Sequence, residues 1–437
     1  MSQSAAEHSA VPVVIGSGLT GLSISHCLSR ASIDHVLIGR RPDASPRLGE
    51  SLNLEGTLLL REMFPQLDRF FYAKRDALGF FGEYEVLCDF EVSQRAVSRA
   101  IFRSLGYAAA TEFLQVERIG FDAALWDLAT SSEHCTVLDA PVTSLEFDAP
   151  SDAFTGVYLG DGTVVRPSYV FDATNHGRLL GRTANVACRT LGVPQRVAFT
   201  HYHLAADASR DAETWELATA VVRLFLAIDG FDGVAWCIPI GDYVSIGVST
   251  AATGTELSDE GLLERAAAAF ARRGIDFRRR FSDRVEIKGL RHNYFAYDRA
   301  SGTNWLLAGP SFCQVWWLAG AGVGTSLTAA KLAPKLLRDP QRWGAEYDNY
   351  MKQLLPIHDT FDYFVLTPRE WYEPEALHRY SDRFVKTSLV RLAGSTGMRD
   401  SRFAAIVAPA MAWLFRHPAV LREYCSVRRV DRPAQVA

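Results

Sequence analysis

Gly16-Ser17-Gly18-Leu19-Thr20-Gly21 fits the pattern G-x-G-x-x-G and stands where a nucleotide phosphate could use it. An apolar run at residues 11–15 precedes the turn. Helical spacing of Leu22, Ile24, Cys27 and Leu28 follows it. In that setting Gly16 permits the tight turn, Gly18 lets a pyrophosphate approach the backbone, and Gly21 lets helix and strand close together. The helix N-terminus then faces the phosphates. The plainer alternative is a glycine turn without a ligand. The acid that would end the next strand and hold a ribose is absent, because Gly39 stands there, followed by Arg40 and Arg41. Those arginines either meet a ribose 2′-phosphate or are solvated. His201 and His203 alternate on one expected strand face, where they line a pocket or belong to core or surface. There is no H-E-x-x-H and no G-x-S-x-G, so zinc and serine hydrolysis lack support.

The elements that would position these residues follow from periodicity. Residues 11–15, the turn, residues 22–31 and residues 35–38 make a strand–turn–helix–strand unit. Strands are expected at 135–147, 153–159, 170–173, 196–203, 221–228, 233–239 and 243–249, with Asp161-Gly162 as a hairpin turn. Helices are expected at 121–129, at 259–273 with Ser258 as cap, and at 326–337 after a glycine-rich loop. From residue 344 onward the pattern is mostly helical. The fold class is therefore α/β: a Rossmann-like nucleotide lobe interleaved with a mixed β-sheet substrate lobe, and a helical C-terminal tail. The first lobe takes residues 1–80, 165–190 and 300–340. The second takes 81–164 and 191–299, leaving 341–437 as the tail.

Composition narrows the partners. The 437 residues carry 46 Lys and Arg against 50 Asp and Glu, a net charge of -4, which argues against nucleic acid. Cys27, Cys88, Cys135, Cys188, Cys237, Cys313 and Cys425 are odd in number and form no C-x-x-C pair, so they read as reduced thiols of a cytoplasmic protein. The first ten residues are polar and the apolar run after them is too short for a signal peptide. Residues 403–415, the longest apolar stretch, fall short of the roughly 20 that span a bilayer, so stable membrane insertion is not expected. Arg272, Arg273 and residues 278–280 form a basic run, either a solvated face or a dock for an acidic carrier protein. Trp316 and Trp317, beside glycines, are the aromatics best placed to wall a planar substrate pocket.

The glycine turn, together with Arg47-Leu48-Gly49-Glu50-Ser51-Leu52, resembles the FAD-dependent aromatic hydroxylase and tryptophan-halogenase-like flavoproteins. Later segments agree in order. Gln115-Val116-Glu117-Arg118-Ile119-Gly120-Phe121-Asp122 is similar to their V-x-R-x-x-F-D helix entry, and Asp172-Ala173-Thr174-Asn175-His176-Gly177-Arg178 to their second flavin-lobe turn. Trp236-Cys237-Ile238-Pro239 is similar to the second half of the halogenase W-x-W-x-I-P, and residues 306–330 take the place of the third flavin motif. The resemblance implies FAD as cofactor. It also implies a cofactor site drawn from Gly16, Ser17, Gly18, Leu19, Thr20, Gly21, Arg40, Arg47, Glu50, Arg118, Asp172, Gly309, Gly322 and Val323. Lys74, 24 positions after Glu50, matches the halogenase lysine, so Lys74 and Glu50 are the catalytic candidates. Trp236, Trp316 and Trp317 would line the substrate.

Departures from the family pattern set further expectations. Val234 replaces the first tryptophan of the halogenase motif. Gly309-Pro310 replaces Gly-Asp, which removes an acid and a backbone donor together. Trp317 replaces the proline beside the reactive flavin edge. The implied activity is a flavin-dependent monooxygenase acting on an aromatic or hydrophobic biosynthetic intermediate, free or carrier-protein tethered. Because the Asp172 turn lacks Asp-Gly, reduced flavin would come from a separate flavin reductase. The alternatives are a flavin-dependent halogenase, or a non-redox cyclase or isomerase with weakened or lost FAD binding.

Overall fold

Val13, Val14 and Ile15 are all buried, as an unbroken apolar run requires when helices and strands cover both faces of a strand. The structure, a computed structural model, describes residues 7–74, 76–81, 84–89, 113–204, 221–226, 233–252, 256–275, 278, 281–315, 320–352, 355 and 425–429. The first ten strands are β1 (Glu7–Ile15), β2 (His35–Ile38), β3 (Phe71–Lys74), β4 (Asp76–Phe81), β5 (Tyr84–Asp89), β6 (Phe113–Val116), β7 (Cys135–Leu138), β8 (Val142–Asp148), β9 (Ala153–Leu159) and β10 (Val164–Asp172). Next come β11 (Cys188–Thr190), β12 (Gln195–Leu204), β13 (Val221–Leu226), β14 (Gly233–Ile240), β15 (Tyr243–Ala251) and β16 (Phe281–Arg284). The last are β17 (Lys288–His292), β18 (Phe295–Tyr297), β19 (Trp305–Leu307), β20 (Cys313–Gln314) and β21 (Cys425–Arg429). The helices are α1 (Leu19–Arg30), α2 (Leu54–Met63), α3 (Arg118–Thr130), α4 (Leu179–Thr183), α5 (Asp259–Ala271), α6 (Ala321–Leu336) and α7 (Pro340–Lys352).

The first sheet runs β7-β2-β1-β10-β9-β8, with β19 also paired to β10. Strands β7, β2, β1, β10 and β19 are mutually parallel, and β9 and β8 continue as an antiparallel meander. Residues 135–159, which the sequence reading placed with 81–164 in the substrate lobe, pair into this first sheet as β7, β8 and β9. Apolar alternation marks a strand but does not name its partner. The run at 135–147 also divides at Pro141 into β7 and β8, since proline supplies no ladder donor.

The second sheet runs β16-β12-β15-β14-β13-β4-β5-β21, with β17 also paired to β12. Strand β21 lies in the region expected to be helical, where its residues 425–429 pair with β5. Helix α7 does follow the helical expectation; the apolar stretch at 403–415 lies outside the described residues. One face of the sheet packs Ala198, Tyr202, Ala235, Ile246 and Val248 against Leu262, Leu263, Ala266 and Phe270 of α5. Each such buried leucine or phenylalanine contributes about 1.5–3 kcal/mol. Ser258 caps α5 by accepting from Gly261 N, as expected. The other face carries Val197, Phe199, Trp236, Ile238, Ile240 and Tyr243, against which Leu48 and Tyr72 of the first half of the chain pack. The seam between this face and the residues 47–53 and 71–74 holds the candidate site.

Candidate active site

The three turn glycines do separate jobs. Gly16 has φ +109°, and a Cβ there would lie 2.6 Å from the Ala173 carbonyl oxygen. Gly21 presses on the turn itself, its would-be Cβ 1.8 Å from the Gly16 oxygen. Gly18 is extended, with no described residue within 4 Å of a Cβ, and among the described residues α1 begins there without a capping side chain. An open, uncapped helix N-terminus beside a bare backbone fits a pyrophosphate. The neighbouring side chains are engaged within the protein: Ser17 Oγ donates to the Arg40 carbonyl at 2.6 Å, and Thr20 Oγ1 meets Ser326 Oγ of α6 at 2.7 Å. Leu19 is buried in the core. Arg41 pairs with Asp127 on the surface, and Arg40 is exposed.

Gly39 is glycine for a local reason. A Cβ there would lie 2.6 Å from Ser17 Oγ and 2.7 Å from Ser17 Cβ. Gly39→Glu is therefore expected to lower the melting temperature without tightening FAD binding. The double variant Ser17→Gly/Gly39→Glu should recover the melting temperature. Thermal melts and flavin titrations of the two proteins check this.

Arg47 and Arg118 converge on one carboxylate. Arg118 donates to both oxygens of buried Asp122, from Nε at 3.1 Å and Nη2 at 3.0 Å, and its Nη1 donates to the Leu48 carbonyl at 2.8 Å. Arg47 reaches Asp122 at 3.2 Å and Asp43 at 2.9 Å. Both arginines shape the loop before Glu50 through Asp122. The Glu50 carbonyl accepts from Val116 N at 2.8 Å, which fixes the loop on β6.

The Glu50 side chain is buried, with His201 Nε2 2.9 Å from its Oε1. That is ion-pair distance, but the contact is off the line a hydrogen bond needs. The Tyr243 hydroxyl donates to the same oxygen at 3.3 Å, and its ring stacks on His201 at 4.4 Å. Burial, then the Glu50 charge, pushes the Tyr243 hydroxyl well above the usual tyrosine range, so it stays a neutral donor. Spacing announces neither partner: His201 is half of an alternating pair, and Tyr243 carries no signal beyond its place in a strand.

Lys74 reaches the same loop from 22 residues along the chain. Its Nζ donates to the Leu52 carbonyl at 3.3 Å and stands 5.9 Å from the Phe113 ring centre. The N-terminus of α6 comes to the same segment, because a Cβ on Gly320 would lie 3.2 Å from Asn53 N. Helix α6 begins at Ala321, five residues before the expected start, so Gly322 and Gly324 belong to its first turn and not to a loop. Among the described residues its N-terminus has no capping side chain, and Gly322 meets only Pro310 Cγ, at 3.8 Å. Val323 packs across toward Gly49 and Gly56.

Asp172 and Gly309 are turned inward. Asp172 accepts from Thr174 N, Thr174 Oγ1 and Leu180 N at 2.9, 2.6 and 2.9 Å, so it holds the turn after β10. Burial raises its carboxyl above the usual range despite those donors. Gly309 N donates to the buried Tyr347 hydroxyl at 2.7 Å. Trp236 is buried with its ring over Gly247, where a Cβ would lie 1.9 Å from the ring, and Nε1 donates to Ser245 at 3.3 Å. Gly247→Ala should cost about 1–3 kcal/mol in urea unfolding, since the indole has no room to retreat. Trp316 and Trp317 lie outside the described residues.

Glu117 caps α3, accepting from Ile119 N at 2.9 Å and Gly120 N at 2.8 Å. Burial raises its carboxyl above the ordinary 4.5, outweighing those amides. The unfolded chain therefore loses this proton first, and stability falls as pH rises from about 4.5 through the folded value. Glu117→Gln should flatten that decline in melts run across the interval.

FAD tested against these residues fits at its pyrophosphate, where Gly18 and the α1 N-terminus are open, and at the α6 N-terminus. No carboxylate stands at Gly39 or Pro310 to hold a ribose or ribityl chain.

Comparison with known proteins agrees with this architecture. A solved flavin-dependent halogenase from Brevundimonas sp., BrvH, superposes with a TM-score of 0.64 at 14% identity, covering 93% of this chain and 97% of that one. PqsL of Pseudomonas aeruginosa, described as a probable FAD-dependent monooxygenase, gives 0.61 at 15% identity over 83% of this chain and 98% of that one. In fold, the chain is similar to these two flavin-dependent enzymes. Among curated sequences, the FAD-dependent monooxygenase nvfK of Aspergillus novofumigatus is 34% identical over 79 residues, 18% of this chain and 14% of that one. The chain spans less than half the length of each curated relative it matches. No family model matches. The Glu50 loop, the Lys74 ammonium and the α6 N-terminus meet around residues 50–53, and Thr20 at the start of α1 touches Ser326 of α6. No described helix is long and apolar enough to cross a membrane.

Proposed function

We propose that the chain is a flavin-dependent oxidoreductase of the monooxygenase type, acting on an aromatic or hydrophobic intermediate. The observation that carries this reading is the open Gly18 backbone at an uncapped helix N-terminus; the loop at residues 50–52 brings Glu50 to His201 and Tyr243 and accepts from Lys74. FAD would be held by Gly18 and the N-terminal amides of α1 and α6, and when bound it would supply two-electron redox chemistry and oxygen activation. The protein contributes position and a dry environment. Arg118 and Arg47, through Asp122, fix the loop that presents Glu50, and the aromatic face of the second sheet excludes water. Lys74 directs its ammonium at the Leu52 carbonyl beside that loop.

The missing carboxylates at Gly39 and Pro310 support loose flavin binding, which suits delivery of reduced flavin by a separate reductase. The proposed compartment is the cytoplasm, where scattered thiols stay reduced. A halogenase reading draws on the placement of Lys74 at the Leu52 carbonyl. Val234, fully buried, stands where the first tryptophan of the halogenase motif would be and favours direct oxygenation. Incubation of the protein with a flavin reductase, oxygen, bromide and candidate aromatic substrates, read by mass spectrometry, separates the two. A hydroxylated product retained in Lys74→Ala supports the proposal. A brominated product that disappears in Lys74→Ala contradicts it.

A further inference from the structure

Two fully buried polar side chains at the seam have no hydrogen-bond partner among the described residues. Gln115 leaves both its amide oxygen and its amide nitrogen unmatched. His201 leaves Nδ1 unmatched, and its Nε2 meets Glu50 only at ion-pair distance. Both residues are 0% exposed. Unmatched buried polar groups are rare because each loses its water without replacement, and a ligand is one reason to keep them.

Their placement points the same way. Opposed residues of an antiparallel pair share a face. Gln115 is opposite Tyr72, and Phe113 is opposite Lys74. The intervening Leu114 and Val116 point away, into the core of the first lobe. Tyr72 packs on the second-sheet cluster that contains Trp236 and Tyr243. On that sheet His201 stacks on Tyr243 and meets Glu50. Through Tyr72 and Tyr243, the Gln115 face and His201 therefore both turn toward the same second-sheet cluster, and the residue 50–52 segment runs beside β6, where Ser51 forms a β-bridge with Gln115.

We propose that Gln115 and His201 read the polar edge of the substrate, and that this edge belongs to a lactam or carboxamide on an apolar ring. A glutamine amide offers one donor and one acceptor side by side, which a lactam's C=O and N–H complement. His201 adds a further polar atom, and Tyr72, Phe113 and Trp236 supply apolar surroundings for the ring. This inference rests on the seam being the substrate site and not on the flavin assignment.

The test uses the full chain, with oxindole as a bicyclic lactam probe and indane as its apolar counterpart. Thermal melts and calorimetric titrations of wild type, Gln115→Met and His201→Gln are compared, with an FAD titration of each protein alongside. Gln115→Met keeps the volume and removes the unmatched amide. It should raise the ligand-free melting temperature by about 2 °C or more and weaken oxindole by about tenfold or more, with indane unchanged. His201→Gln should weaken oxindole while the protein stays folded. A lower melting temperature in Gln115→Met would assign the amide a structural role and overturn the inference. So would oxindole binding that is absent in wild type or equal in wild type and Gln115→Met. Failure of FAD to bind any of the proteins would contradict the proposed oxidoreductase function and leave this result legible on its own.

Discussion

Gly21→Ala is expected to destabilise the protein by about 3 kcal/mol or more and to abolish flavin retention, although it adds one methyl group. The new carbon would lie 1.8 Å from the Gly16 carbonyl oxygen and 3.3 Å from Ala173 Cβ. The first obstacle is backbone, so no rotamer change relieves it. Either α1 lifts from the turn or the turn opens, and both moves separate the α1 N-terminus from Gly18. Urea unfolding followed by circular dichroism reads the stability, and gel filtration in the presence of FAD reads retention. A variant as stable as the parent would mean that the helix does not close on the turn as described.

Arg118→Met is expected to cost about 3–5 kcal/mol, because it leaves the Asp122 carboxylate buried without its bidentate partner. Arg47 approaches Asp122 through a single contact at 3.2 Å and cannot replace two hydrogen bonds. The loss should also free the Leu48 carbonyl and loosen the loop that carries Glu50. The paired change Arg118→Met/Asp122→Leu should recover much of the stability, since a buried pair replaced by apolar groups of similar size is often neutral. Equal instability of the single and double variants in urea would show that the pair is not the cause.

What the sequence showed well was short in range. The strand–turn–helix at residues 11–31 was legible because its glycines, apolar run and helical spacing are contiguous, and β1 and α1 follow it closely. The strands at 233–239 and 243–249 were legible for the same reason, and they pair as β14 and β15. Long-range pairing was not. Glu50 and His201 are brought together by the packing of one sheet against a loop, and nothing in the spacing of either announces it. The acid at 172 was visible, but not the three donors that turn it into a local strut. Gly39 read as a lost ribose ligand, whereas the contact with Ser17 gives it a steric reason to be glycine. The glycines after residue 319 read as loop because glycine disfavours helix interiors, yet here they open α6, where the cost of glycine is smallest and access to the N–H groups is greatest.

If FAD is held at the turn between β1 and α1, as proposed, Gly18→Val removes most of the binding and leaves the fold intact. The added side chain meets nothing within 4 Å at its Cβ, and the backbone there has φ −78° and ψ −175°, which valine adopts readily. The variant should therefore melt within a degree or two of the parent, so lost binding cannot be attributed to lost folding. In a fluorescence titration with FAD, the parent should saturate, and Gly18→Val should show at least about a hundredfold weaker binding because the pyrophosphate can no longer reach the backbone. Equal FAD affinity in the two proteins would place the flavin elsewhere, or remove it from this protein's chemistry altogether.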